Sequence, residues 1–441
     1  MMHSQKLISI CFCFLLLFSK PIVGQKDYEK YNFVSIGDDF TQRAITSIIK
    51  DNDGYLWIST YGDGLFRYNS IDFKNYKNEI SFSESSLNSS IVHVTLQDSQ
   101  NNIWVGTQLG LNLYNSDLDK FESIPLSEND KNLKFAIHAI AEYDENTLIF
   151  GTHEYGLFKF DKTLLVQQPI PYKGSKIIEN LLINSIVKTS NGRFLIGTNH
   201  GLMTFDPYNE VLQLAKFNTE NGYESVNNSI ESMITTSDNS IWIGTFASGL
   251  SRIYYNDKDL YSIEKFPISQ KRILSLSEKE NGNILCGSEN DGLFEVNYVS
   301  KEIQNYRQDK LNQFGVKSNS IWTVYTGNNN RIWLGYYNNG IDLHDDNYNK
   351  FSSIKSLPYT TNSLNSSSVT GITKDDNGKI WISLSDGGVD VYDPKNEKIY
   401  NLNDQKNKIA KGLNSLNITT IFYDSRKNIW LGTWDSGLFF L

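Results

Sequence analysis

The chain has 441 residues, 13% of them aromatic (25 Tyr, 24 Phe and 8 Trp), with only 8 Pro and a formal net charge of −9. So much apolar and aromatic surface excludes a disordered chain. The acidic balance, with no basic stripe, excludes a nucleic-acid or anionic-membrane surface, which needs clustered Lys and Arg. Length alone leaves one large repeat array or two domains.

At the N-terminus, Lys6 precedes an apolar run from Leu7 to Phe18, which Ser19, Lys20 and Pro21 break before Ile22-Val23-Gly24. That run is too short for a bilayer span and reads as a signal peptide over residues 1–24. Export leaves Cys286 as the single cysteine of the mature chain, because Cys11 and Cys13 fall in the leader, so no intramolecular disulfide is expected. Beyond the leader no segment is apolar enough to cross a membrane, which predicts a periplasmic protein.

From residue 45 onward one pattern recurs nine times: a strand, an Asx/Gly-rich turn, a strand bearing Trp, Gly-Thr, a short loop, Gly-Leu and a third strand. The first copy runs from Ile45 through Asp53-Gly54, Trp57 and Thr60 to Gly64-Leu65 and Tyr68. The Trp position is filled by Trp57, Trp104, Ile149, Leu195, Trp242, Leu285, Trp333, Trp381 and Trp430, at intervals of 47, 45, 46, 47, 43, 48, 48 and 49 residues. A fourth strand shows at Phe121–Ile124 and at Lys350–Ile354. Four strands per unit of this length predict an all-β fold, a β-propeller of four-stranded antiparallel blades. With strands A to D counted from axis to rim, the B–C loops and D–A connections share one end of every blade, the end where propellers usually bind.

The copies Asp98-Ser-Gln-Asn-Asn-Ile-Trp104-Val-Gly-Thr107 and Asp424-Ser-Arg-Lys-Asn-Ile-Trp430-Leu-Gly-Thr433, with the connectors at Ser86–Ser90 and Asn362–Ser367, resemble the two-component regulator propeller repeat. The resemblance covers about residues 30 to 441. Repeats three, four and six lack the Trp, and repeat seven has Tyr336 in place of Thr. It implies a periplasmic sensor that binds an oligosaccharide, a homodimer as in sensor kinases, and two seven-bladed propellers followed by a β-sandwich, a membrane helix, a histidine kinase, a receiver and a DNA-binding domain. The 441 residues hold none of those later parts, so the chain reads as the front of such a sensor or a stand-alone relative.

Two closures fit the spacing. Either Tyr31–Ile36 completes blade seven, giving a seven-bladed propeller over residues 25–345 and two further blades over 346–441, or it pairs with blade nine in a nine-bladed ring. The former is expected, because propellers typically close at four to eight blades.

Catalytic signals are sparse. His93 and His138 lie on A strands and read as core or channel-lining. His153 and His200 lie in B–C loops, and His3 falls in the leader. No His-x-x-x-His or Cys-x-x-Cys pair, nucleophile elbow or phosphate loop occurs, so neither a metal nor a cofactor is expected. The Asp-rich turns at Asp51–Gly54 and Asp375–Gly378 lack the final Glu of a calcium loop and read as hairpin turns. The position after Gly-Thr, by contrast, varies from blade to blade. Tyr61, Gln108, His153, Asn199, Phe246, Glu289, Tyr337 and Trp434 stand there, with Ser385 in blade eight. Aromatic rings mixed with amide and carboxylate groups around one opening suit a sugar ligand. Two other readings are kept: a scaffold for a protein partner, and a lyase, since streptogramin-lyase propellers have a similar blade and use a His with a divalent cation.

Overall fold

The computed structural model describes residues 31–441 apart from 38–39, 41, 79–86, 129–130, 133, 174–179, 256–260, 311, 313, 348–353, 358–361, 404–412 and 414. The leader and most of the Lys350–Ile354 strand therefore lie outside the described residues. The chain forms two compact units, one ending at Asp346 and one running from Asn347 to Leu441. No α-helix occurs among the described residues, and none is long and apolar enough to cross a membrane.

Each unit is built from the same sheet. Blade one pairs Ile45–Lys50, Leu56–Thr60, Leu65–Tyr68 and Phe73–Tyr76 in chain order, all antiparallel. Blades two to six repeat that order. In the seventh sheet, Ile321–Thr326, Ile332–Tyr336 and Ile341–His344 receive their outer strand from Val34–Ser35, with Val34 opposite Leu343. Phe40, Ile45, Ile48, Leu56, Ile58 and Phe66 of the chain's start share one core with Trp333, Ile341 and Leu343. Blade one thus packs on blade seven. The second unit holds a four-stranded sheet ending at Lys398–Asn401 and the three-stranded sheet of Ile418–Tyr423, Ile429–Thr433 and Leu438–Phe440.

Inter-blade packing explains the motif. Trp57, Leu65, Tyr76 and Leu87 of blade one bury themselves against Val92, Ile103, Val105 and Phe121 of blade two. Truncating such an indole costs about 3–5 kcal/mol. The glycine two residues after the Trp position sits where the next blade presses in: a Cβ on Gly106 would lie 2.8 Å from Ile137, and one on Gly244 would lie 2.7 Å from the Ile273 carbonyl oxygen. Ser59 and Ser383 replace it in blades one and eight, where their hydroxyls hydrogen-bond Thr95 and Thr370 at 2.9 Å.

The turn aspartate has a second duty beyond the turn. One oxygen of Asp51 accepts from the Tyr55 amide and the other from the Trp57 indole at 2.7 Å. Asp98, Asp375 and Asp424 do the same for Trp104, Trp381 and Trp430. Burial alone would raise the Asp98 carboxyl, but bonds from Asn102, Trp104 and Lys162 hold it below the usual carboxylate range. In blade five Thr236 replaces the aspartate, and the buried Trp242 indole nitrogen has no hydrogen-bond partner.

Two small hairpins interrupt the repeat in D–A connections, Ser127–Glu128 with Lys131–Asn132 and Phe217–Thr219 with Gly222–Glu224. Cys286 is a free, fully buried thiol packed beside Trp242, and burial pushes it well above its usual titration range.

Candidate functional site

The B–C loops are held by the threonine that follows the glycine. Thr60, Thr152 and Thr245 donate to the carbonyls of Gly64, Gly156 and Gly249 at 2.7–2.9 Å, and Ser288 does the same for Gly292. Gly64 has φ +84°, and a side chain there would run into the backbone of Tyr76 and Lys77. The loop therefore presents its first residue in a fixed place. Tyr61, Gln108, His153, Asn199, Phe246, Glu289, Tyr337 and Trp434 each donate their backbone N–H, at 2.9–3.2 Å, to the carbonyl just before or at the start of their own blade's A strand. Tyr61, Phe246 and Tyr337 are about half exposed. Trp434 belongs to the second unit, where its indole is 79% exposed.

A second ring of residues was not singled out from the sequence as a set. In every blade the A strand slips by one residue after its first position, for example between Ile45 and Ser47, and between Ile321 and Thr323. The residue left out of the ladder is Thr46, His93, His138, Asn184, Glu231, Leu274 or Trp322 in the seven blades of the first unit. A bulge frees a side chain from the pleat and re-aims it. The signal was present as a variable residue straight after a constant Ile or Val.

The two rings meet in three clusters. Trp322 and Tyr337 stack obliquely with centroids 4.8 Å apart, and Tyr61 of blade one stands edge-on to Trp322 at 6.5 Å. Tyr61 also approaches His93, which hydrogen-bonds Gln108 at 2.9 Å and stacks on His138 at 4.0 Å, with His153 6.2 Å beyond. Arg272 binds Glu231 at 2.7 Å, with its guanidinium carbon 5.9 Å from the centroid of the Phe246 ring. Between them, Thr46, Arg272, Leu274 and Trp322 line a cavity of about 170 Å³. Asn199 turns back to the backbone instead, donating to Asn180 and accepting from Leu182. No bond from the Glu289 side chain contributes to these clusters.

Burial lowers both stacked histidines, and for His138 the His93 and His153 rings add to it, bringing it from 6.5 to about 3. Both are neutral at pH 7. Because their folded values are depressed, the stability they hold is complete above about pH 6.5 and is lost as pH falls toward the folded value. Thermal midpoints should therefore decline between about pH 6.5 and about pH 4.5, above the range where carboxylates titrate. His138→Asn should flatten that slope, and an unchanged slope would contradict the assignment. Among the described residues, no group of three or more His, Cys, Asp or Glu is placed to hold a metal ion.

A family model described as two component regulator propeller matches residues 39–62, 86–108 and 412–435. The protein named histidine kinase P4 of Formosa agariphila is 25% identical over 174 residues, spanning 38% of this chain and 12% of the kinase. The extracellular domain of a hybrid two-component system from B. thetaiotaomicron superposes with a TM-score of 0.67 at 21% identity, over 93% of this chain and 53% of that one. A virginiamycin B lyase from Staphylococcus aureus superposes with a TM-score of 0.52 at 11% identity, over 72% of this chain and 99% of the lyase. At those identities the structural likenesses are likenesses of fold. The chain spans about half of that extracellular domain and a small part of the kinase.

Proposed function

We propose that this chain, which carries two-component regulator propeller repeats, is the ligand-recognising part of an exported sensor and binds an oligosaccharide at the mouth formed by its B–C loops and A-strand bulges. In this reading residues 1–24 are removed on export, residues 25–345 form a seven-bladed ring, and residues 346–441 add two blades of the same design. The observation that carries it is the convergence of chemically different side chains at two equivalent positions of an otherwise repeated blade. Repeated residues such as Asp51 and Trp57 hold each blade together. Most of the varied ones of the first unit gather in the aromatic and histidine clusters, Asn199 and Glu289 excepted.

Stacked aromatic rings offer a face for sugar C–H groups, while Gln108 and the neutral imidazoles of His93 and His138 supply paired donors and acceptors for hydroxyls. Binding would signal only if the ligand had different affinity for two arrangements of the sensor, such as two packings of a homodimer. The test is a calorimetric and thermal-shift titration of the full chain against a panel of oligosaccharides. Saturable heat with at least one member is expected. Failure of every member, together with recovery of a specific protein by the immobilised chain, would replace this reading with a scaffold.

A lyase reading has less support. His153 and Glu154 lie together in one B–C loop, but His153 stands beside His138 and not among carboxylates.

A further inference from the structure

We infer that the second unit pairs with a second copy of itself, blade eight (369–401) of each chain seating against blade nine (418–440) of the other, so that two chains together close one four-bladed ring. This goes beyond the ligand reading and does not depend on it.

Every contact between neighbouring blades has two halves. One is a knob, the Ile or Val that opens the A strand. The other is a slot on the preceding blade, made by the B-strand glycine and the residue, usually Leu, that opens the C strand. In the first unit each half is taken. A Cβ on Gly197 would lie 2.6 Å from Ile230, and one on Gly335 of blade seven would lie 2.6 Å from Ile45 of blade one. The knobs from Ile45 to Ile321 are accordingly fully buried, and so are the slot residues from Leu65 to Ile341.

The second unit has one such contact filled and one of each half open. Ile418 of blade nine is buried with Val389 and Val391 of blade eight. The knob of blade eight, Val369, is 44% exposed, and Ile372 on the same strand is 65% exposed. At the slot of blade nine, a Cβ on Gly432 would meet only Thr419 and Thr420 of its own blade. Leu438 there is 67% exposed, as is Phe440. A hydrogen-bond donor is diverted at the same place. Thr46 and Thr370, the bulge residues of blades one and eight, donate to the A-strand carbonyls of the next blade, Val92 and Ile418, at 2.7 Å. Their counterpart Thr419 turns back to the Gly432 carbonyl of its own blade at 3.0 Å.

The open knob and the open slot are complementary, and one unit carries both. Two blades cannot curl round to meet each other, since propellers typically close with about four to eight. The first unit is closed by its own blades one and seven and has no half to give. A second copy supplies both halves at once. Under a twofold axis the knob of each chain meets the slot of the other, the self-complementary arrangement of a cyclic dimer. Exposed apolar surface is then covered, and Thr419 gains the carbonyl that Thr46 and Thr370 already have.

The test is sedimentation equilibrium of the full chain isolated after export. At ~10 µM it should show twice the monomer mass. Val369→Asp and Leu438→Asp should each weaken association ~100-fold or more, because a carboxylate would be buried without a partner. Both side chains are exposed in the single chain, so unchanged melting of the variants guards against misfolding. Mixing the two variants should restore a dimer in part, because one of its two contacts then joins an unaltered knob to an unaltered slot. A monomer would overturn the proposal, and so would a dimer that withstands both substitutions. Loss of the dimer with Leu438→Asp alone would mean that two blade-nine faces meet, and would overturn the reciprocal seating. Masses that climb past the dimer with concentration would mean an open row of chains, and would overturn the ring.

Discussion

Replacing Glu295 by Ala should cost the first unit about 3–5 kcal/mol, the penalty for removing one partner of a buried ion pair. Glu295 lies on the C strand of blade six, Leu293–Asn297, with its side chain 3% exposed, and Lys279 opposite it is 7% exposed. Together they hold the entering chain. The Tyr31 hydroxyl donates to Glu295 at 2.7 Å and accepts from Lys279 at 2.7 Å, while Asn283 donates to Glu295 at 2.7 Å. Burial, then the Glu295 carboxylate, push the Tyr31 phenol well above its usual range, so it remains a neutral donor. Without Glu295 the buried Lys279 ammonium loses this carboxylate, and the segment that carries Val34–Ser35 to blade seven loses one of its anchors. Tyr31→Phe should cost less, roughly 1.5–3 kcal/mol, because it removes the two hydrogen bonds of the hydroxyl to charged groups but leaves the ion pair in place. Replacing the pair together, Lys279→Met with Glu295→Leu, should recover most of the loss. Chemical unfolding followed alongside hydrogen exchange of the blade-seven amides measures all three. A Glu295 variant within about 1 kcal/mol of the parent would show that the pair contributes little to closure.

Gly335→Ala should destabilise by about 1–3 kcal/mol through overpacking alone. The new methyl would lie 2.6 Å from Ile45 Cγ2 and 2.7 Å from Ile45 Cβ, and would collide with Thr323 as well. Ile45 is fully buried in the core that blades one and seven share, so neither side has room to retreat. Backbone strain is not involved, because Gly335 lies in the extended strand Ile332–Tyr336. Gly327→Ala is the matched control. Its methyl would meet nothing nearer than Tyr325 at 3.7 Å, and the stiffer unfolded chain should make it neutral or slightly stabilising. Equal melting temperatures for the two variants would refute the packing account of the motif glycine.

The blade was legible because its constraints are local. The near-constant interval between Trp57 and Trp430 and the slot at Gly106 or Gly244 follow from one sheet packing on the next, and the Asn-Gly and Asp-Gly turns from the hairpins within each sheet. What was missed lies between blades or off the repeat. The turn aspartates were read as turn closers, which they are, but the six-residue step from Asp51 to Trp57 and from Asp424 to Trp430 also encoded a bond to the indole. The bulges could not be seen in the apolar alternation, since a one-residue slip is defined by the partner strand. Uniform spacing also left two closures open, because a rim strand can come from any distance along the chain. Only the pairing of Val34 with Leu343 tells which blade receives it. The loop ring at Tyr61, Phe246 and Tyr337 was found by asking which position varies, and the same question put to the residue after Ile45 would have found Trp322.

The bulge in each A strand has an evolutionary consequence. A side chain outside the ladder is released from its own blade's pleat, and the seven use that release differently: Thr46 and Asn184 donate to the Val92 and Ile230 carbonyls of the next blade, at 2.7 and 2.8 Å, whereas the His93 and Trp322 rings are given over to contacts with the loop ring. Positions such as those of His93, Leu274 and Trp322, for which no bond to the next blade's backbone is seen among the described residues, are the letters most easily rewritten on an unchanging frame. A lineage of such proteins could drift from one specificity to another by single substitutions, each leaving the blades intact.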